Sequence, residues 1–183
     1  MRIAIFALLP VTCLALDLTP KAAFKEQEGF KIPVIAFDDS GRTIHWRPPS
    51  NWRMTHENGI LSLSPKNRSQ ASMILRVITR NAGDRELLGQ TESLLAYCSK
   101  LLPNLSQNLT YRGTSEGAFS IGERSAREYL IDYTINEQPN RASIFLLDYS
   151  ARERLALIIT AAPKDLEAAR DEAIRSMFSW APQ

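Results

Sequence analysis

The dipeptide Asn58-Gly59 constrains this chain more than any other feature, because it prescribes one kind of turn and with it the pairing on either side. A two-residue hairpin loop of the primed type needs positive φ at both central residues, and Asn-Gly adopts that geometry at little cost. Pairing outward puts His56 opposite Leu61, Met54 opposite Leu63 and Trp52 opposite Pro65, while Thr55 and Arg53 face Ser62 and Ser64. One face is then apolar and the other polar. A one-residue slip would destroy that separation, so turn and pattern agree on a single register.

Strand signals continue in both directions. Ile32 to Phe37 and Arg42 to Trp46 flank the turn Asp39-Ser40-Gly41, and Pro48-Pro49 ends the second run because proline has no N–H for a ladder. Ala71 to Thr79 carries Met73, Leu75 and Val77 on one face and Ile74 and Ile78 on the other, the pattern of a strand covered on both sides. Asp84 is placed to cap a helix with the stripe Leu87, Leu88, Leu94, Leu95, Cys98, Leu101 and Leu102, ended by Pro103. Strand-like runs follow at Leu109 to Arg112, Ala118 to Ile121, Ala126 to Ile135, Ala142 to Tyr149 and Arg154 to Thr160. Short turns separate them, as in an antiparallel meander. Pro163 opens a last helix with the stripe Leu166, Ala169, Ala173, Ile174, Met177 and Phe178, and Asp171 and Arg175 are spaced as an i,i+4 pair. Two helices set among runs of strands predict an α+β fold, a largely antiparallel sheet sandwiched between helices.

The start of the chain is of another kind. Arg2, the uncharged stretch from Ile3 to Leu16 and then Asp17 make the pattern of a secretory signal peptide, and the stretch is shorter than the roughly 20 residues that span a bilayer. Cys13 and Ala15 put small residues at −3 and −1, so cleavage is expected after Ala15. The expected organisation is therefore a signal peptide at 1–15, an arm of mixed charge without a clear period at 16–31, and a single α+β domain at 32–183. The protein is expected to be exported, periplasmic or secreted. A lipid on Cys13 is disfavoured because Pro10 and Thr12 fit a bacterial lipobox poorly.

Charge and cysteine content exclude several classes of partner. The chain has 22 basic and 20 acidic residues, and loss of Arg2 leaves 21 against 20, far from the balance of a nucleic-acid binder. Cys98 alone remains after cleavage, so no internal disulfide can form. Asn67-Arg68-Ser69, Asn104-Leu105-Ser106 and Asn108-Leu109-Thr110 are glycosylation sequons, which matter only in a eukaryotic secretory pathway.

Catalytic patterns fail in context. Gly113-Thr114-Ser115-Glu116-Gly117 matches G-x-S-x-G, but that elbow needs a helix after the serine, whereas Ala118 to Gly122 continues as strand and turn. Both histidines, His45 and His56, precede the serine, and the segment reads as an exposed bend. Those histidines, with Asp38 or Asp39, lack zinc-ligand spacing, and Cys98 falls on an apolar stripe where thiols are inert. No Gly-rich phosphate loop, HExxH or CxxC pattern occurs, so the residues imply no catalytic group, metal or cofactor.

One cluster points to binding. His45 to Arg53 packs two Trp-Arg pairs around Pro48-Pro49, and Trp and Arg are the residue types that dominate binding hot spots. The competing reading makes the tryptophans core residues with arginines lying along them, and it is favoured for Trp52 on the apolar face of its hairpin. Trp46, Arg47, Pro48, Pro49, Ser50 and Asn51 are the candidate partner-binding residues.

The order of Pro49-Ser50-Asn51-Trp52, the Gly59 to Pro65 strand, the Ala71 to Thr79 strand, a helix, Gly122 to Tyr133 and a C-terminal helix ending near Phe178 resembles the PsbP and Mog-type α/β/α sandwich. That resemblance implies an adaptor or assembly factor rather than an enzyme, and it transfers no binding residue. The expected function is thus an exported, non-catalytic protein-binding module. The alternatives are an exported hydrolase with scattered residues such as Ser115, His45 and Asp38, or a small-ligand carrier with a pocket between sheet and helix.

Overall fold

The computed structural model describes residues 16–67, 70–81, 83 and 88–182. The expected signal peptide and the Asp84 cap lie outside the described residues. The strands are β1 (Leu16–Gln27), β2 (Phe30–Asp39), β3 (Arg42–Trp46), β4 (Trp52–Glu57), β5 (Ile60–Pro65), β6 (Ser72–Thr79), β7 (Gln107–Ile121), β8 (Arg124–Ile135), β9 (Gln138–Asp148), β10 (Glu153–Ala161) and β11 (Ala181–Pro182). The helices are α1 (Thr91–Ser99) and α2 (Leu166–Met177).

The strands form two antiparallel sheets, one in the order β1-β2-β3-β11 and the other in the order β4-β5-β6-β10-β9-β8-β7. The expectation of an α/β/α sandwich is corrected by this arrangement. Two short helices do not make two helical layers, and the architecture is predominantly β. On one face of the seven-stranded sheet Ile144, Leu146, Ala156, Ile158 and Tyr129 pack with Leu94 and Cys98 of α1 and with Leu101 and Leu102 beyond it. On the other face Leu61, Met73, Leu75, Leu155 and Leu157 pack with Ala169, Ala173 and Met177 of α2, and with Phe37, Ile44 and Trp46 of the smaller sheet. A second sheet thus does much of the covering that was expected of helices.

The Asn58-Gly59 hairpin has the expected register from Trp52↔Pro65 to His56↔Leu61, with φ of 51° at Asn58 and 73° at Gly59. Nothing lies within 4 Å of where a Cβ on Gly59 would be, so substitution there tests backbone strain without steric clash. Gly59→Val is expected to cost about 1–3 kcal/mol, read as a lowered midpoint in urea. An unchanged midpoint would contradict a positive φ at this turn.

Three segments depart from expectation. Residues 16–27, read as part of an irregular arm, pair with β2 as a strand, turned by Glu28-Gly29 at φ of 51° and 79°. The two strands expected around the Gly113–Gly117 bend are one strand, β7, whose pairing with β8 is interrupted by register shifts, one of them between Glu116 and Ser120. Phe178, expected on the apolar stripe of the last helix, lies just past its end and is 68% exposed. The Asp171 carboxylate pairs with Arg170 at 3.5 Å, while Arg175 Nε donates to the Asp171 backbone carbonyl at 3.2 Å instead of forming the expected side-chain pair.

Candidate functional site

Between β3 and β4 the prolines prevent ladder pairing, and the loop is fixed by its two ends instead. Trp46 is fully buried, its ring centroid 5.9 Å from Phe37 and 6.3 Å from Trp180. Trp180 reaches that position because β11, directly after it, pairs Ala181 with His45. At the other end Trp52 is buried and its indole Nε1 donates to Glu172 Oε2 of α2 at 2.6 Å. Between them the Arg47 amide donates to Ser179 Oγ at 2.7 Å, the Trp52 amide to the Pro49 carbonyl at 3.2 Å, and the Lys66 amide to the Asn51 carbonyl at 2.9 Å. These bonds satisfy backbone groups that a loop at a sheet edge would otherwise leave to water.

The loop forms one wall of a groove of about 730 Å³. Arg47, Pro48, Pro49, Ser50 and Asn51 line it from one side, Ile32 and Pro33 of β2 from another, and Glu172, Arg175, Ser176 and Ser179 from α2 and the turn after it. Five of the six residues singled out from the sequence therefore share a surface. Trp46 does not line it, and the structure gives its side chain a core position. The α2 residues carry no local signal that could have assigned them, because they join the loop only through a sequence separation of 120 or more. Three exposed phenylalanines stand nearby in sequence or register: Phe178 precedes Ser179, Phe24 pairs with Pro33, and Phe30 lies two residues before Ile32.

The residues of the hydrolase alternative do not assemble. Ser115 lies on β7 of the seven-stranded sheet, whereas Asp38 and His45 lie on β2 and β3 of the smaller one. Asp38 pairs with Lys21. Ser115 Oγ donates to Glu128 Oε2 at 2.8 Å, and its segment is strand, where the sequence suggested a bend. Cys98 is completely buried, and burial pushes its thiol up to about 12, away from the reactive thiolate. Among the described residues no three His, Cys, Asp or Glu side chains come together in a way that could hold a metal ion.

Ser115 belongs to a second constellation. Glu128 is 6% exposed, accepts two bonds from Arg170 at 2.6 and 2.7 Å, and takes the hydroxyls of Ser143 and Ser115. Burial alone would raise its pKa. Arg170, Ser143 and Ser115 together overcome that effect and hold the carboxyl below its ordinary value. All the oxygens are occupied by donors within the protein, so this arrangement reads as structural.

No family model matches the sequence, and no curated protein matches it. Among solved structures, the chain is similar to LpqN of Mycobacterium tuberculosis, a protein involved in cell envelope biogenesis. The TM-score is 0.53 at 15% identity, over 90% of each chain. At that identity the likeness is one of fold. A chain from Bacteroides thetaiotaomicron aligns at a TM-score of 0.47 and 11% identity over 73% of this chain, which spans 43% of that one. PA94 of Pseudomonas aeruginosa, a protein of unknown function, aligns at 0.45 and 9% over 88% of this chain and 97% of that one. Both scores fall below 0.5 and carry no argument. Nothing in these matches supports membership of the PsbP and Mog-type group. Among the described residues no helix is long and apolar enough to cross a membrane.

Proposed function

We propose that this chain is an exported accessory module of the cell envelope that acts by binding another protein along the groove between Arg47–Asn51 and the end of α2. The observation that carries the reading is the construction of that groove. Its proline-containing wall is bonded to Ser179 in the turn after α2 and to Lys66 just past β5, so little ordering entropy is lost when a partner is engaged. Arg47 is exposed and has no ion pair among the described residues, and exposed phenylalanines flank the lining. A mixed surface of arginine and aromatic groups on a rigid frame suits a protein partner better than a small molecule. Export rests on the charge and hydropathy pattern of residues 1–16, and the fold-level likeness to an envelope protein is in keeping with it.

The experiment is site-specific photo-cross-linking in the native compartment. A photoreactive residue at exposed Ser50 is expected to capture one reproducible protein, whereas the same residue at Glu137, in the exposed β8–β9 turn, is expected not to capture it. Equal capture from both positions, or none from Ser50, would contradict the assignment.

A further inference from the structure

The groove between the Arg47–Asn51 loop and the end of α2 carries a charge pattern of its own. Arg47 and Arg175 line it, both exposed, and Glu172 is the carboxylate of the same lining. Glu172 Oε2 accepts the Trp52 indole N–H at 2.6 Å. Neither arginine forms an ion pair among the described residues. Asp171, one helical turn before Arg175, pairs through its carboxylate with Arg170 at 3.5 Å, and Arg175 Nε donates to the Asp171 backbone carbonyl at 3.2 Å instead. Two positive charges therefore stand against one negative charge, and that one already holds an indole.

A helix C-terminus ordinarily repels an anion, but this one is covered from within. Ser176 Oγ donates to the Ala173 carbonyl at 2.6 Å, and Ser179 Oγ and the Ser179 amide donate to the Ser176 carbonyl at 2.7 and 3.1 Å. The Trp180 amide donates to the Met177 carbonyl at 3.0 Å. The carbonyls that end α2 are thus satisfied, and the two serine hydroxyls of the lining are engaged in satisfying them. Pro33, Pro48 and Pro49, also in the lining, have no N–H to offer an added strand. Recognition here falls to side chains, and a guanidinium group donates without accepting, so the partner must bring acceptors.

We infer that the groove takes an acidic segment of the partner protein, with Asp or Glu carboxylates seated on Arg47 and Arg175; the inference rests on the protein-binding reading proposed above. Charge complementarity selects this occupant. A basic segment would set like charges against two arginines, and an uncharged one would leave both guanidinium groups without a counter-charge. The planar N–H fork of arginine matches the two oxygens of a carboxylate, so geometry and charge favour the same group. The two arginines come from opposite walls, the loop after β3 and the last turn of α2, and a segment lying in the groove meets both.

The adduct formed by a photoreactive residue at Ser50 is mapped by mass spectrometry to the segment of the partner that it joined. That segment is expected to carry more Asp and Glu than Lys and Arg. It is then synthesised and titrated against the purified protein by fluorescence anisotropy, beside a copy in which every Asp is Asn and every Glu is Gln. The acidic peptide is expected to bind about tenfold tighter than the neutral copy, or better. Arg175→Gln is expected to weaken the acidic peptide about fivefold or more and the neutral copy hardly at all. The urea midpoint of that variant should stay at the wild-type value, because Arg175 is exposed. A basic or uncharged segment at Ser50, equal affinity or none for the two peptides, or an affinity unaltered by Arg175→Gln would overturn the inference and leave the groove as a protein-binding surface. No capture from Ser50 would remove the protein-binding reading itself, and the acidic segment with it.

Discussion

Arg170→Ala is expected to be among the most destabilising substitutions on the surface of this protein, at about 3 kcal/mol, although Arg170 keeps 28% of its side chain exposed. The cost lies in what the substitution leaves behind. Glu128 would remain buried on β8 with two hydroxyl donors but no counter-charge, and Arg170 would also leave its place over the Phe145 ring, 5.6 Å from the centroid. Glu128→Gln should cost less, because the freed guanidinium can turn to water. The effect also depends on pH. Glu128 titrates below its unfolded-state value of about 4.5, so its ionised form adds stability above that pH, and the contribution disappears as pH falls through the folded-state value. The difference between wild type and Arg170→Ala in urea unfolding should therefore be largest near neutrality and shrink below about pH 4. A difference independent of pH would mean that the pairing with Glu128 is not its source.

Trp46→Ala should cost about 3–5 kcal/mol, a large share of the 5–15 kcal/mol that typically holds a domain together. Trp46 is fully buried in a cluster with Phe37 and Trp180 that ties the smaller sheet to the segment after α2. Its indole N–H has no partner, so Trp46→Phe removes an unsatisfied donor with part of the ring and should cost far less. Arg47→Ala, one residue along, should stay within about 0.5 kcal/mol of wild type. Chemical denaturation of the three variants checks this ordering. If Trp46→Ala were as mild as Arg47→Ala, the ring could not be part of the core.

These neighbours show how far the sequence could be read. The Asn58-Gly59 hairpin was legible because turn chemistry and alternation are both local, and they agree. The two-sided burial of β6 was legible for the same reason. β1 was not, since beyond Leu16 and Leu18 its side chains are mostly at least partly exposed and its conformation comes from pairing with β2. The expectation of two strands where β7 runs as one comes from Gly113 and Gly117, which are turn residues, whereas register shifts against β8 absorb them within one strand. The overestimate of helical covering has a similar origin: periodicity identifies a helix, but not whether a sheet or a helix lies against it. The Arg47–Asn51 loop could be singled out by composition. Its opposite wall on α2, and the Glu128–Arg170 pair 42 residues apart, depend on tertiary contacts that leave no spacing in the chain.

The claim that the Arg47–Asn51 groove is a protein-binding surface is tested most directly by the cross-link yield from a photoreactive residue at Ser50 in an Arg47→Glu background. Arg47→Glu reverses a charge on an exposed side chain and leaves the backbone bond to Ser179 in place, so the folded population should be unchanged. If Arg47 anchors the partner, its loss should cost on the order of 1–4 kcal/mol of binding, and the yield should fall at least about fivefold at a partner level below saturation. An unchanged yield from a variant that unfolds at the wild-type midpoint would contradict the account.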